Sequence, residues 1–211
     1  MKLFSAKWLW IVIVVLLFFN GTLLYKNYLA KQSRKEILTQ LDVYKNSIEK
    51  QSPLTYSYKG SFKTSLLNDG LYLADEIFTD SLRQKIKFSQ LFTKDRDKIL
   101  VLKFSELNCI ECVMYAIVKL RKIAETIGVD NIVFIGSYQD NRNLHIQKKH
   151  LGLQGMNVYN IPQLNLPIEE SVVPYYFLLD KTLKVSNVFV PEKSTPELTN
   201  IYLDLVIDRY F

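Results

Sequence analysis

The sequence predicts an α/β fold, a three-layer sandwich with a mixed β-sheet, and three observations carry that prediction. Strand-like and helix-like segments alternate from residue 98 onward, and a hairpin pattern follows from residue 175. The only two cysteines among 211 residues, Cys109 and Cys112, stand three apart where an apolar run gives way to an amphipathic one.

Ile99, Leu100, Val101, Leu102 and Phe104 make residues 98–104 a short buried strand. Val113, Ala116, Ile117, Leu120, Ile123, Ala124 and Ile127 then recur at helical spacing, and Gly128 ends the helix as a C-terminal cap. Asn108 is the expected N-cap, with Glu111 three residues on completing a capping box. Residues 131–136 read as a second buried strand and 141–151 as a helix with Leu144 and Leu151 inward. Residues 175–180 and 183–190 read as a hairpin, and Ser194 to Glu197 open a final helix whose inner face is Leu198, Ile201, Tyr202 and Leu205. Earlier, 71–73 and 85–88 suggest short strands, with Asn68, Asp69 and Gly70 forming a turn.

The cysteine spacing has a chemical meaning. On the first turn of a helix, residues i and i+3 are neighbours, so two thiols can close a small disulfide or share a proton. The helix N-terminus stabilises a thiolate, which makes Cys109 the expected nucleophile and Cys112 the resolving thiol. A zinc site would need four ligands, and no second cysteine pair exists. His145 and His150, the only histidines, fall in a Lys-rich stretch that reads as a solvated helix face. Neither a metal nor a cofactor is expected.

The formal charge of +6 is uneven: residues 1–50 hold eight Lys/Arg against three Asp/Glu, the remainder nineteen against eighteen. The near-neutral C-terminal part gives no sign of nucleic-acid binding. Residues 8–25 are uncharged, apolar without interruption from 8 to 19, and flanked by Trp8, Trp10 and Tyr25, so an N-terminal transmembrane signal-anchor is expected over residues 1–25. No Ala-x-Ala-like site follows, which favours an uncleaved anchor over a cleaved signal peptide. Lys26, Lys31, Arg34 and Lys35 beyond the span outnumber Lys2 and Lys7 before it, against an exported C-terminal domain. A short basic tail before a single apolar segment nevertheless resembles a secretory signal-anchor, so an extracytoplasmic domain, periplasmic or at the cell surface, is expected. Residues 26–52 read as a helical stalk with a stripe of Ile37, Leu41, Tyr44 and Ile48, ended by Gln51, Ser52 and Pro53; the domain would occupy 53–211.

Residues 104–112, Phe104 to Cys112 after a strand, and 172–180, Val172 to Asp180, resemble the thioredoxin superfamily. The likeness is to its membrane-anchored thiol-disulfide oxidoreductases, related to the alkyl hydroperoxide reductase and thiol-specific antioxidant group, over residues 65–211. It implies a thioredoxin-like domain that exchanges disulfides with protein thiols. It also implies a cis bond between Val173 and Pro174, lying against the cysteine pair, with the Val173 backbone pairing with a substrate peptide. The family's usual Trp and Gly-Pro are replaced by Asn108 and Ile110-Glu111. Lys103 stands where many members carry a buried acid; it either favours a thiolate by its charge or reaches solvent from the strand end. Glu106 and Glu111 would act oppositely, raising the thiol pKa. Two alternatives stay open: a membrane-anchored binding module with a structural disulfide, and a thiol peroxidase. The peroxidases place Thr or Ser three residues before the reactive cysteine, where this chain has Glu106.

Overall fold

The structure is a computed structural model that describes residues 3–80 and 84–211, with side chains described outside 3–9, 11–18, 44, 47–53 and 79–80. The chain divides into two compact units, Met1–Ser52 and Pro53–Phe211.

Most of the first unit is helical, the first part of α1 (Leu3–Asn68). The apolar run expected to cross a membrane, Trp10 and Phe19 apart, lies outside the described side chains, as do Tyr44 and Ile48. Among the described residues no helix is long and apolar enough to cross a membrane. Ile37 and Leu41 are exposed.

The second unit begins inside α1, which continues through residues 51–53 and ends at Asn68 instead of stopping at Pro53. A proline inside a helix costs roughly 3 kcal/mol, and tertiary contacts beyond it offset that cost. Leu54 packs on the core, the Ser57 hydroxyl donates to Glu192 Oε2 at 2.6 Å, and Asn68 is buried.

Seven strands follow: β1 (Ile77–Asp80), β2 (Lys85–Lys87), β3 (Lys98–Ser105), β4 (Ile132–Ser137), β5 (Asn157–Asn160), β6 (Tyr175–Asp180) and β7 (Val185–Phe189). They form one mixed sheet in the order β2-β1-β5-β4-β3-β6-β7. β3, β4 and β5 are parallel, while β6 and β7 are the expected antiparallel hairpin. Residues 71–73 hold only a bridge from Tyr72 to Lys184 and no strand.

Three helices connect and close the sheet: α2 (Ile110–Ile127), α3 (Asn141–His150) and α4 (Pro196–Tyr210). Right-handed crossovers from β3 to β4 to β5, moving one way across the sheet, put α2 and α3 on the same face. Gly136 leaves room for that packing, because a Cβ there would meet Leu144 Cδ1 at 2.6 Å. The core on this face joins Leu100, Leu102 and Phe104 of β3 to Val113, Ile117, Leu144, Leu203 and Val206. α4 turns inward Leu198, Thr199, Leu203 and Val206; Ile201 and Leu205 are exposed, since the helix meets the core along the 199-203-206 ridge. Its N-cap is Thr195, and the Ser194 hydroxyl donates to Glu192, so the expected capping box does not form.

The other face departs from a three-layer sandwich. Ile99, Val101, Ile135, Phe177 and Leu179 are covered there by Leu73, Phe88, Leu91, Leu164, Leu166 and Ile168, which lie in loops and 3-10 turns. Pro162 and Pro167 punctuate the covering segment, and neither tolerates an α-helical interior. The C-terminal ends of β3 and β4 are thereby left open between the helical layer and this loop layer.

Candidate active site

β3 delivers its last residues to a tight turn that places the cysteines. Asn108 Oδ1 accepts from the Ser105 N–H at 2.8 Å, the Asn108 N–H donates to the Ser105 carbonyl at 3.1 Å, and the Glu106 N–H donates to the Ser137 carbonyl at 3.2 Å. With its side chain used in the turn, Asn108 is not the N-cap; Cys109 is. The Cys112 N–H donates to both the Cys109 carbonyl, at 3.0 Å, and Cys109 Sγ, at 3.4 Å. Both cysteines are free thiols, Cys109 exposed and Cys112 half-buried.

The two thiols are driven apart. Hydrogen bonds from the Cys112 side chain and backbone hold Cys109 below the ordinary cysteine value. The same side-chain bond, with burial, raises Cys112. A sulfur at the helix N-terminus also gains from the unpaired N–H groups of the first turn, which favours the thiolate of Cys109 in the same direction.

Glu111 leaves the capping role to pair with Lys193 at 2.9 Å. Lys193 holds the Glu111 carboxyl below its usual value and is itself raised. The pair sits at the pocket formed by Ile110, Met114, Tyr115 and Val118 on the outer side of α2. Glu111 opposes the lowered pKa of Cys109 only weakly. Glu106 is exposed, and its charge acts on the Tyr138 phenol, whose pKa burial raises first.

Lys103 takes neither expected role. It alternates with Ile99 and Val101 onto the loop-covered face, away from α2, and is 3% exposed. Its Nζ donates to the Ile161 carbonyl at 2.8 Å and to Ser137 Oγ, and lies 3.9 Å from Glu169 Oε1. Burial lowers its pKa to about 8 against the opposing pull of Glu169. The charges acting on the cysteines come from Glu111 and Lys193, not from Lys103. Glu169 was not readable as a site residue, because nothing local marks a carboxylate in a 3-10 turn as the neighbour of a strand lysine.

The Val173–Pro174 bond is trans, as are all peptide bonds of the described residues. The expected cis bond is therefore corrected. The chain turns instead at Val172, left-handed at φ 50°, which closes the Pro167–Ser171 turn and leads into β6. Trans is the ordinary preference of an X–Pro bond, by about 0.5–1 kcal/mol. Pro174 is buried, and Val172 and Val173 line a cleft also lined by Leu107 and Asn108. The structure thus brings the segment before β6 and the segment before Cys109 to one opening, with the two sulfurs and Pro174 outside its lining. His145 and His150 are exposed, and among the described residues no cluster of His, Cys, Asp or Glu is arranged to hold a metal ion.

No protein-family model matches the sequence, and no curated protein does either. Similar solved structures include a candidate protein disulfide isomerase from Bacteroides thetaiotaomicron, 14% identical, covering 68% of this chain and 91% of that one with a TM-score of 0.49. The thioredoxin domain of a thiol-disulfide oxidoreductase from Bacteroides vulgatus is 10% identical, with 65% and 99% covered and a TM-score of 0.45. The peroxidoxin BcpB from Mycobacterium tuberculosis is 15% identical, with 68% and 98% covered and a TM-score of 0.46. The mixed α/β domain, with its central order β5-β4-β3-β6-β7 and a helix leaving β3 at the cysteine pair, fits a thioredoxin-like fold. The trans proline withdraws one feature of that resemblance, and the strand order stands without it.

Proposed function

We propose that this chain is a membrane-tethered thiol-disulfide oxidoreductase that exchanges disulfides with protein substrates through Cys109 and Cys112. The observation that carries the reading is the asymmetry of the pair. Cys109 is exposed, accepts the Cys112 N–H at the start of α2 and has a lowered pKa, while Cys112 is half-buried with a raised one.

In the reducing direction the Cys109 thiolate attacks one sulfur of a substrate disulfide. An S–S bond forms between enzyme and substrate, the substrate S–S bond breaks, and the departing sulfur leaves as a thiolate that takes up a proton. Cys112 then loses its proton and attacks Cys109 Sγ, forming the internal disulfide and releasing the second substrate thiol. Two electrons and two protons pass to the substrate. The oxidising direction is the reverse.

The tether is the apolar run between Lys7 and Lys26, supported by its hydropathy and its flanking aromatics. The domain 53–211 would then face the extracytoplasmic side.

The test is equilibration of the full-length chain, in detergent, with glutathione buffers. The expected outcome is a reversible Cys109–Cys112 disulfide with a potential inside the roughly −270 to −120 mV spread of exchange enzymes. A pair that forms no internal disulfide, or one that stays oxidised throughout, would leave only a binding module.

A further inference from the structure

The resolving step asks the most of the cysteine pair, because Cys112 must lose its proton although its pKa is raised. The first cause of that rise is its bond to the Cys109 side chain, with burial next. Once Cys109 is held in a mixed disulfide, its thiolate charge is gone. What stays beside Cys112 is the carboxylate of Glu111, which opposes ionisation, and the ammonium of Lys193, which favours it.

Lys193 is firmly mounted where it stands. It lies in the segment from β7 to α4, between buried Pro191 and buried Thr195. Its neighbour Glu192 accepts the hydroxyl of buried Ser57 at 2.6 Å and that of Ser194 at 3.4 Å, and the Thr195 N–H donates to the Glu192 carbonyl at 3.4 Å. From this base the Lys193 side chain reaches Glu111 Oε2 at 2.9 Å, in the first turn of α2 and between the two cysteines in sequence. The helix dipole disfavours a cation at a helix N-terminus. Glu111 offsets that, and an anion forming on the same turn gives the ammonium a second partner. Thiolate charge at either sulfur in turn raises the pKa of Lys193.

Resting on the thiol-exchange reading, we infer that Lys193 is a positioning residue of the resolving step, its ammonium held by Glu111 beside the first turn of α2 so as to stabilise the Cys112 thiolate that attacks the mixed disulfide. The Cys112 S–H proton passes to a buffer base. The thiolate then forms an S–S bond with Cys109 Sγ as the bond from Cys109 to the substrate sulfur breaks, and that sulfur departs as a thiolate and takes up a proton. Lys193 keeps its own proton throughout and acts through Cys112. Its side chain is 53% exposed and that of Glu111 74%, so water and salt screen the charge and the effect is a few-fold one.

The test mixes the reduced full-length chain, in detergent, with stoichiometric dipyridyl disulfide, a neutral reagent, in a stopped-flow instrument. Attack by Cys109 releases one thiopyridone and resolution by Cys112 releases the second, while a Cys112→Ser control releases only the first. The second phase should be about threefold slower in Lys193→Gln near neutral pH, its pH midpoint raised by about half a unit and its rate meeting wild type above that midpoint. Lys193→Arg should keep the wild-type profile, and added salt should shrink the difference between wild type and Lys193→Gln. Glu111→Gln, which removes the opposing charge and frees the ammonium, should move the midpoint down. Both Gln variants break the same ion pair, so a pair that only braces the loop would shift both in one direction. Shifts of the same sign in the two variants, or a Lys193→Arg profile like that of Lys193→Gln, overturn the role of Lys193. If wild type shows no second phase, the exchange reading falls and takes this role with it. A second phase whose midpoint Lys193→Gln leaves in place removes the role of Lys193 alone.

Discussion

Asn68 Oδ1, at the last residue of α1, accepts the backbone N–H of Ile168 at 3.0 Å across a sequence separation of 100 residues. The same side chain donates to the Thr64 carbonyl at 2.8 Å, so the end of α1 holds the 3-10 turn that carries Glu169 and Glu170. Asn68→Ala would leave the buried Ile168 N–H without a partner. The expected loss is about 1–3 kcal/mol in urea unfolding. A change under a few tenths would mean that the turn is held by its apolar contacts alone.

Alkylation should distinguish the two thiols. With iodoacetamide near pH 7 and peptide mapping, Cys109 of the reduced protein should be modified at least about tenfold faster than Cys112, being both more exposed and more acidic. Equal rates would contradict the helix-terminus argument.

Cys112→Ser should accumulate mixed disulfides through Cys109, since the resolving attack is lost. Non-reducing gels from cells should show species that vanish on reduction and that are missing from Cys109→Ser. Their absence from the Cys112→Ser strain would count against exchange with proteins.

Lys103 should leave a mark on the pH dependence of stability. Its folded pKa of about 8 is below the ordinary lysine value, so between about pH 8 and 10 the unfolded chain binds more protons than the native one. Stability from this group therefore rises with pH through that window, by on the order of 3 kcal/mol in full. Comparing urea unfolding of wild type and Lys103→Met from pH 7 to 10 isolates it, because the shifted cysteines and buried tyrosines are common to both. A stability difference that stays flat would mean the ammonium is solvated.

The tether predicts that carbonate washing leaves the intact chain in the membrane pellet. A shortened soluble product beginning near residues 20–30 would instead mark a cleaved signal peptide.

What the sequence determined by itself is whatever depends on neighbours within a few residues. The apolar run of β3, the helical spacing of Val113 to Ala124 and the hairpin around Lys181 are periodic patterns, and periodicity reports burial without knowledge of the partner. The position of the cysteines at the strand-to-helix junction is equally local. Tertiary structure alone decided what depends on distant partners. β1 and β5 are four-residue strands with polar members, such as Asn157 and Asn160; β1 exists through its pairing with β2 and β5, and β5 through its pairing with β1 and β4. Asn108 lost the N-cap to Cys109 because its side chain closes the turn from β3. α1 passed Pro53 because Leu54, Ser57 and Asn68 find contacts from 135 or 100 residues away, or in the core, that outweigh a local helix breaker. The cleft beside Cys109, where Lys103, Glu169 and Tyr175 meet, is assembled from three separate segments. Its buried lysine and the carboxylate beside it are brought together by packing, which no window of consecutive residues contains.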